Sequence, residues 1–587
     1  MSFFASSRLG QHYVPRSPEL YTETQNGKDE KITEQDLHRY TRHRWLFNEE
    51  KELSNRYVDF DLQQLVRVAV DVCEGAQPCT KVTKCAEGLH NKAFILTMDN
   101  GCEVFAKLPN PNAGAARFTI ASEIATRKLI SDVLNVLVPR VLAWSFDAAS
   151  SPVGAEYIIE EKAPGVRLGS VWSQWPRSSK LQLITQVVDV QNALTDATFD
   201  MHGCIYFKDD LRSLGEEPKE TNIHSVWNHP SEYTRALGHN EIAYIKTHAF
   251  PRMNYYRSLK SKEYPEDGLA LLDKYMKVAP YLAPQSTNEA GSEETPSSNV
   301  LIHPDLHLDN IFVDPETLQI TRIVDWQSAC VAPLFYHANV PRMCAHRGPL
   351  QEGWGVPERP EEFDSLSVEE QHKIDDDLES QILHKYYEAQ VYRRSPRYWS
   401  VLKNMRIPIL RKPVWLVTGV WENRDLFFLR ESLMSLFARW EELIPGVPCP
   451  INFTNEDVEL HSKEEENMDG VGKMLTLFRD ESVLPVDAWW SPKTMTLLRR
   501  TAGTLRISSS DWRKTTKREN YSRNSGHIKN PETPSVCNNL CMFIAFVQAV
   551  ICALSYRSRA LHPSALVLII LLQCISQMNH HNHNTIL

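Results

Sequence analysis

Two short segments hold the side chains best able to do chemistry: His303-Pro304-Asp305-Leu306-His307-Leu308-Asp309-Asn310, and Ile323-Val324-Asp325-Trp326. Asp305 is followed by an amide five residues on, and by a second carboxylate at Asp325. Transfer of a phosphoryl group from ATP to a hydroxyl needs such parts: a carboxylate to orient the hydroxyl and accept its proton, and oxygen donors to hold magnesium against the phosphates. An Asp and an Asn at the two ends of one loop can face the same cleft. The second Asp must arrive by a hairpin, and the runs Ile311-Phe312-Val313 and Ile320–Val324 around Asp314-Pro315-Glu316-Thr317 read as that hairpin.

Upstream, Phe94-Ile95-Leu96-Thr97-Met98 and Val104-Phe105-Ala106-Lys107-Leu108 flank Asp99-Asn100-Gly101, a strong hairpin signal. Pro109 and Pro111 end the second strand, a helix is expected over 119–133, and Val153–Glu160 reads as a further strand. One antiparallel sheet with one helix makes a small α+β lobe. Residues 19–44 are polar and read as an arm or linker, whereas 44–73 carry helices with an apolar face. From 166 to 280 the pattern is mainly helical, and helices return between Val368 and Leu443. Residues 284–299 have the composition of a disordered loop.

The two segments resemble the aminoglycoside phosphotransferase and choline-kinase branch of the kinase-like superfamily, whose loop reads H-x-D-x-x-x-x-N and whose second Asp precedes an aromatic residue. The likeness extends to HPDLHLDNIFVD, IVDWQSA, NPNAG before a helix, and VPRVLAW followed by VGAEYIIEEKAPG. Together these are similar to the altered-inheritance-of-mitochondria protein nine group, over roughly residues 40–490. The resemblance implies a two-lobed α+β kinase-like fold: a nucleotide-binding lobe over 41–165 and a catalytic, substrate-binding lobe over 166–490. It implies Asp305 as catalytic base, Asn310 and Asp325 as magnesium ligands, and His303 as a brace for the loop. Lys107 takes the position of the lysine that meets the α- and β-phosphates, with Glu123 as its partner, a pairing that depends on the helix register. Gly88 and Leu89 fall where a phosphate-covering loop would lie, although one glycine there equally suits a plain β-turn. Glu161 and Ala163 are implied to meet adenine through their backbone.

ATP and Mg2+ are thus the expected donor and cofactor, and a hydroxyl-bearing compound the expected acceptor. A retired enzyme that keeps the fold as a nucleotide-binding scaffold is the alternative, and the thin glycine loop favours it slightly. The net charge of −10 argues against general nucleic-acid binding. Cys73, Cys79 and Cys85 recur at six-residue intervals that match neither a zinc knuckle nor a redox pair, so they read as idle thiols. Residues 1–40 lack a secretory signal, and 1–18, free of acids and carrying Arg8 and Arg16, suit a mitochondrial presequence or a frayed end. Residues 491–587 turn basic and then apolar. Leu540–Tyr556 and Ala565–Ile575 suit a membrane contact or a buried terminal helix. A mitochondrial location rests chiefly on the resemblance, with the cytoplasm as alternative.

Overall fold

A computed structural model describes residues 17–24, 28–42, 49–88, 90–215, 223–227, 230–254, 262–284, 298–350 and 353–480. Residues 1–16 of the suggested presequence, most of the 284–299 loop, Leu89 and the apolar segments at 540–575 lie outside these residues. The described residues divide into two compact units. One is drawn from 1–41, 53–226 and 298–402, the other from 42–52, 227–297 and 403–587. Among the described residues no helix is long and apolar enough to cross a membrane.

Within the first unit, period-two burial makes the central strands. In Asn91–Met98, Phe94, Leu96 and Met98 point to one face and are buried, and Val104, Ala106 and Leu108 do the same in Glu103–Pro109. That face meets Leu62, Leu65 and Ala69 of the helix Leu62–Asp71, which Asp61 caps by accepting from the Gln64 N–H at 3.0 Å. The two strands pair antiparallel, with Ala93 opposite Lys107 and Thr97 opposite Glu103. At their turn Gly101 takes φ +82°, a conformation open to glycine at little cost. Tyr157–Glu161 adds alongside, Lys107 facing Ile158, and Val141–Ser145 closes that edge.

The strand expected from Val153 begins only at Tyr157, because Ser151–Gly154 form a turn closed by the Gly154 N–H to Ser151 C=O bond of 3.1 Å. The polar stretch read as an arm is also folded. Glu19–Glu23 pairs parallel with Cys79–Lys84, Asp29–Lys31 pairs with Glu19–Glu23, and Leu37 and Tyr40 are buried. The sheet is therefore seven-stranded and mixed at that end. Charged residues conceal such an edge strand, since its solvent face need carry no apolar residue.

The sheet's opposite face meets the helix Ala116–Asp132. Ile120 and Ile124 pack on Ile158, while Ala125 and Ile130 of the same helix enter a second core. That core holds Leu183, Val187 and Leu194 of the helix Arg177–Asp196, with Leu301, Ile311, Val313, Ile323 and Trp326. Each such buried aliphatic side chain stabilises the fold by about 1.5–3 kcal/mol. One helix therefore belongs to two cores and is fixed in rotation by both. The strand Asn299–Ile302 pairs with Cys330–Pro333 and leads into the 303–310 loop. Ile311–Asp314 and Gln319–Ile323 form the expected hairpin, Ile311 opposite Ile323. In the second unit the helices Pro230–His248, Pro265–Val278, Ile407–Val417, Leu426–Ala438 and Asn455–Asp480 are organised partly by a buried Glu241, which accepts from the N–H groups of Gly419 (2.9 Å) and Trp421 (3.0 Å). The α+β class expected from the sequence holds.

Candidate active site

The hairpin register sets the heart of the site. Asn310 and Val324 lie just outside the Ile311–Ile323 pair, and the Val324 N–H donates to the Asn310 C=O at 2.9 Å. The Val324 carbonyl meets His303 Nε2, also at 2.9 Å. His303 Nδ1 accepts the backbone N–H of Asp305 (3.1 Å), so the ring proton must sit on Nε2 and donate to Val324. The first and last residues of the loop motif thus clasp the residue next to Asp325. Asn310 Nδ2 donates to the Asp305 carbonyl at 2.9 Å, tying the loop across its middle. Trp326 fills the space beneath: its Nε1–H donates to the Ile323 C=O at 3.0 Å, and its ring meets His303 edge-on at 4.6 Å.

Burial depresses the His303 imidazole below its ordinary value, against the raising effects of its bond to Val324 and of the Asp325 and Asp305 carboxylates. A ring that is neutral when folded leaves fewer protons bound in the native state than in the unfolded one below about pH 6.5. Stability is therefore present above that pH and falls as pH drops, by about 1.4 kcal/mol per unit until the folded ring titrates. His303→Gln should show a flatter decline of the unfolding midpoint between pH 7 and pH 5 than the native chain. Equal slopes would refute the assignment of a neutral His303.

Asp325 has φ +64°, a left-handed conformation that non-glycine residues adopt at a cost of about 1–3 kcal/mol and that gathers at functional positions. Its side chain is half exposed, and Oδ1 lies 3.9 Å from Lys107 Nζ. Lys107 in turn donates to both carboxylate oxygens of Glu123 at 2.8 Å. Burial works against the Lys107 charge, but Glu123, Asp325 and Glu160 outweigh it and hold its pKa above the ordinary lysine value. Asp305 is open to solvent, with Oδ2 3.4 Å from His307 Nε2. His307 Nδ1 takes the Asp309 N–H at 3.2 Å, repeating the i to i+2 pattern of His303.

The structure therefore brings Lys107, Glu123 and Asp325 together, and through Asn310 ties the Asp305 loop to Val324 at the open end of the hairpin. Gly88 is exposed, and a Cβ there would meet nothing within 4 Å. The Glu161 N–H is spent on the Arg140 C=O (2.9 Å), and its carboxylate takes Arg322 Nη2 (2.6 Å) and the Arg140 N–H (3.1 Å). Ala163 is buried beside it. Gly165, two residues on, has φ +87°, and a Cβ would come within 2.2 Å of the Val313 carbonyl oxygen.

Two buried charge clusters escaped the sequence reading. Arg127, one helical turn after Glu123, bonds the Glu160 carboxylate and the Pro139 C=O (2.6 Å) and lies 3.6 Å from Glu123. Its i+4 spacing from Glu123 was the available signal. The second cluster is Glu87, which meets Lys92 at 2.9 Å and Lys84 at 3.1 Å and accepts the Thr41 N–H at 2.7 Å. Burial pulls Lys84 down to about 8, against the Glu87 charge. This cluster anchors the turn after Cys79–Lys84 to the N-terminal segment.

Among the described residues no three His, Cys, Asp or Glu side chains converge as a metal site. The amide of Asn310 and the carboxylate of Asp325 are nonetheless hard oxygen donors. A protein site with one or two such donors, the rest supplied by phosphates and water, is the usual one for magnesium.

A family model described as the phosphotransferase enzyme family matches residues 232–338, which include Asp305, Asn310 and Asp325. The chain is 29% identical to a subtelomeric hrmA-associated cluster protein of Aspergillus fumigatus, over 70% of this chain and 90% of that one. It is 21% identical to the altered inheritance of mitochondria protein 9 of Saccharomyces cerevisiae, over 78% and 87%. A streptomycin–ATP complex of the aminoglycoside phosphotransferase APH(2")-IIa aligns over 63% of this chain and 99% of its own, at 11% identity and a TM-score of 0.33. Residues 232–338 are thus similar to the phosphotransferase enzyme family, and the chain as a whole is similar to the altered inheritance of mitochondria proteins 9.

Proposed function

We propose that this protein is an ATP- and magnesium-dependent phosphotransferase acting on a hydroxyl acceptor, with Asp305 as catalytic base, Asn310 and Asp325 as metal ligands, and Lys107, held by Glu123, on the donor phosphates. The observation that carries the reading is the double clasp of Val324 by His303 and Asn310, which fixes the Asp305 loop and Asp325 in one frame with Lys107. The open Asp305 carboxylate can accept a hydroxyl proton from solvent-side substrate, and the Glu123 bond keeps the Lys107 ammonium in one geometry. Bound magnesium would supply charge neutralisation on the phosphates. Gly88 would face those phosphates, and Glu161 and Ala163 would meet the purine through their backbones.

The acceptor on this reading is a hydroxyl-bearing compound, the group whose proton the Asp305 carboxylate would accept. Similarity to relatives named for mitochondrial inheritance supports a mitochondrial role and location as part of this proposal. The experiment is a thermal-shift titration of the full chain with ATP, with and without magnesium. ATP should raise the unfolding midpoint only when magnesium is present, and Asp325→Asn should lose most of that shift. A shift unchanged by magnesium or by the substitution would overturn the assignment of Asp325. A scaffold that binds nucleotide without turnover would show the shift but no phosphate transfer.

A further inference from the structure

Cys73 and Cys102 lie with their sulfurs 3.1 Å apart, although they come from different elements. Cys73 follows the helix Leu62–Asp71, and Cys102 ends the turn between Asn91–Met98 and Glu103–Pro109. Two neighbouring bonds hold these turns in register: Asn100 Nδ2 donates to the Glu74 C=O at 3.1 Å, and the Gln77 N–H donates to Asp99 Oδ1 at 3.1 Å. The Cys102 N–H is itself fixed by Asn100 Oδ1 at 2.9 Å. A disulfide needs a sulfur separation of about 2.05 Å, so the two atoms must close by roughly 1 Å while the surrounding backbone stays in place. Cys79, the third thiol of this region, is turned away to the Lys81 C=O at 3.3 Å.

We propose that Cys73 and Cys102 are a disulfide-forming pair that closes under an oxidising thiol poise and staples the helix to the hairpin bearing Lys107. The part-exposed Cys102 is the entry point, whereas Cys73 is buried and its thiol is pushed up to about 12 by burial and by contact with Cys102. With a low-molecular-weight disulfide as oxidant, the Cys102 thiolate attacks one of its sulfurs and displaces a thiolate. Cys73, losing its proton, then attacks the Cys102 sulfur of the mixed disulfide and displaces the second thiolate. Two protein thiols are oxidised and one small disulfide is reduced to two thiols. The closed loop spans the strands Cys79–Lys84 and Asn91–Met98, and a cross-link of that length constrains the unfolded chain.

The test uses the full-length protein equilibrated with oxidised glutathione or with dithiothreitol, then alkylated and digested without reduction. The expected result is a linked Cys73–Cys102 peptide in the oxidised sample. Its unfolding midpoint should be several degrees higher than that of the reduced sample, a difference abolished in Cys102→Ser and in Cys73→Ser. Glutathione left on Cys102 with no internal link, or a link from Cys73 to Cys79, would overturn the proposal. Mapping on the native chain decides the outcome even where a serine variant folds poorly.

Discussion

Asp305→Asn is expected to lower phosphate transfer by about 10²–10⁴-fold while leaving magnesium-dependent nucleotide binding in place, because an amide cannot accept the acceptor's proton. The substitution is nearly isosteric, and the loop does not depend on the Asp305 carboxylate. It is held by the Asp305 backbone, whose N–H goes to His303 and whose C=O takes the Asn310 amide. Loss of turnover with an unchanged unfolding midpoint would separate chemistry from folding. His307, 3.4 Å from the same carboxylate, supplies an internal control. If Asp305→Asn retained full turnover against an acceptor the native protein phosphorylates, the proposed base would be wrong.

Arg127→Met should cost about 3–5 kcal/mol of stability, an effect on folding larger than that expected of any surface change in this unit. Arg127 is buried between Glu123 and Glu160, which are only 3% and 7% exposed. Burial opposes its charge, but Glu160 and Glu123 together hold the guanidinium above its ordinary value. Removing it leaves two carboxylates without their shared cation in a region closed to water. Lys107 still faces Glu123, so the greater loss falls on Glu160. Urea unfolding followed by tryptophan fluorescence measures the cost. Adding Glu160→Leu to Arg127→Met should recover part of it, since the stranded charge is then gone. A cost below about 1 kcal/mol would contradict the burial argument.

Much of the candidate site's arrangement was legible because its parts are local. His303, Asp305 and Asn310 sit in one short loop, and the turn Asp314–Thr317 announces the hairpin that returns Asp325. Lys107 was readable from the strand that Asn100-Gly101 begins, and Glu123 from the next helix. What could not be read was set by distant pairing. Glu19–Glu23 joins Cys79–Lys84 across most of the N-terminal region, and nothing in a polar pentapeptide specifies a parallel partner. Arg127 and Glu160, or Lys84, Glu87 and Lys92, look like ordinary solvated charges until tertiary packing buries them. Nor does spacing along the chain reveal that Cys102 reaches Cys73 while Cys79 turns elsewhere.

The salt-bridged group beside Asp325 sets the field that an incoming polyphosphate would meet. Lys107 and Arg127 are matched one for one by Glu123 and Glu160, so those four side chains are already electroneutral. Half-exposed Asp325, 3.9 Å from the Lys107 ammonium, adds a third carboxylate to two cations. On the proposed reading, a bare nucleotide would approach a local surplus of negative charge, and only with a divalent counter-ion would the encounter become attractive.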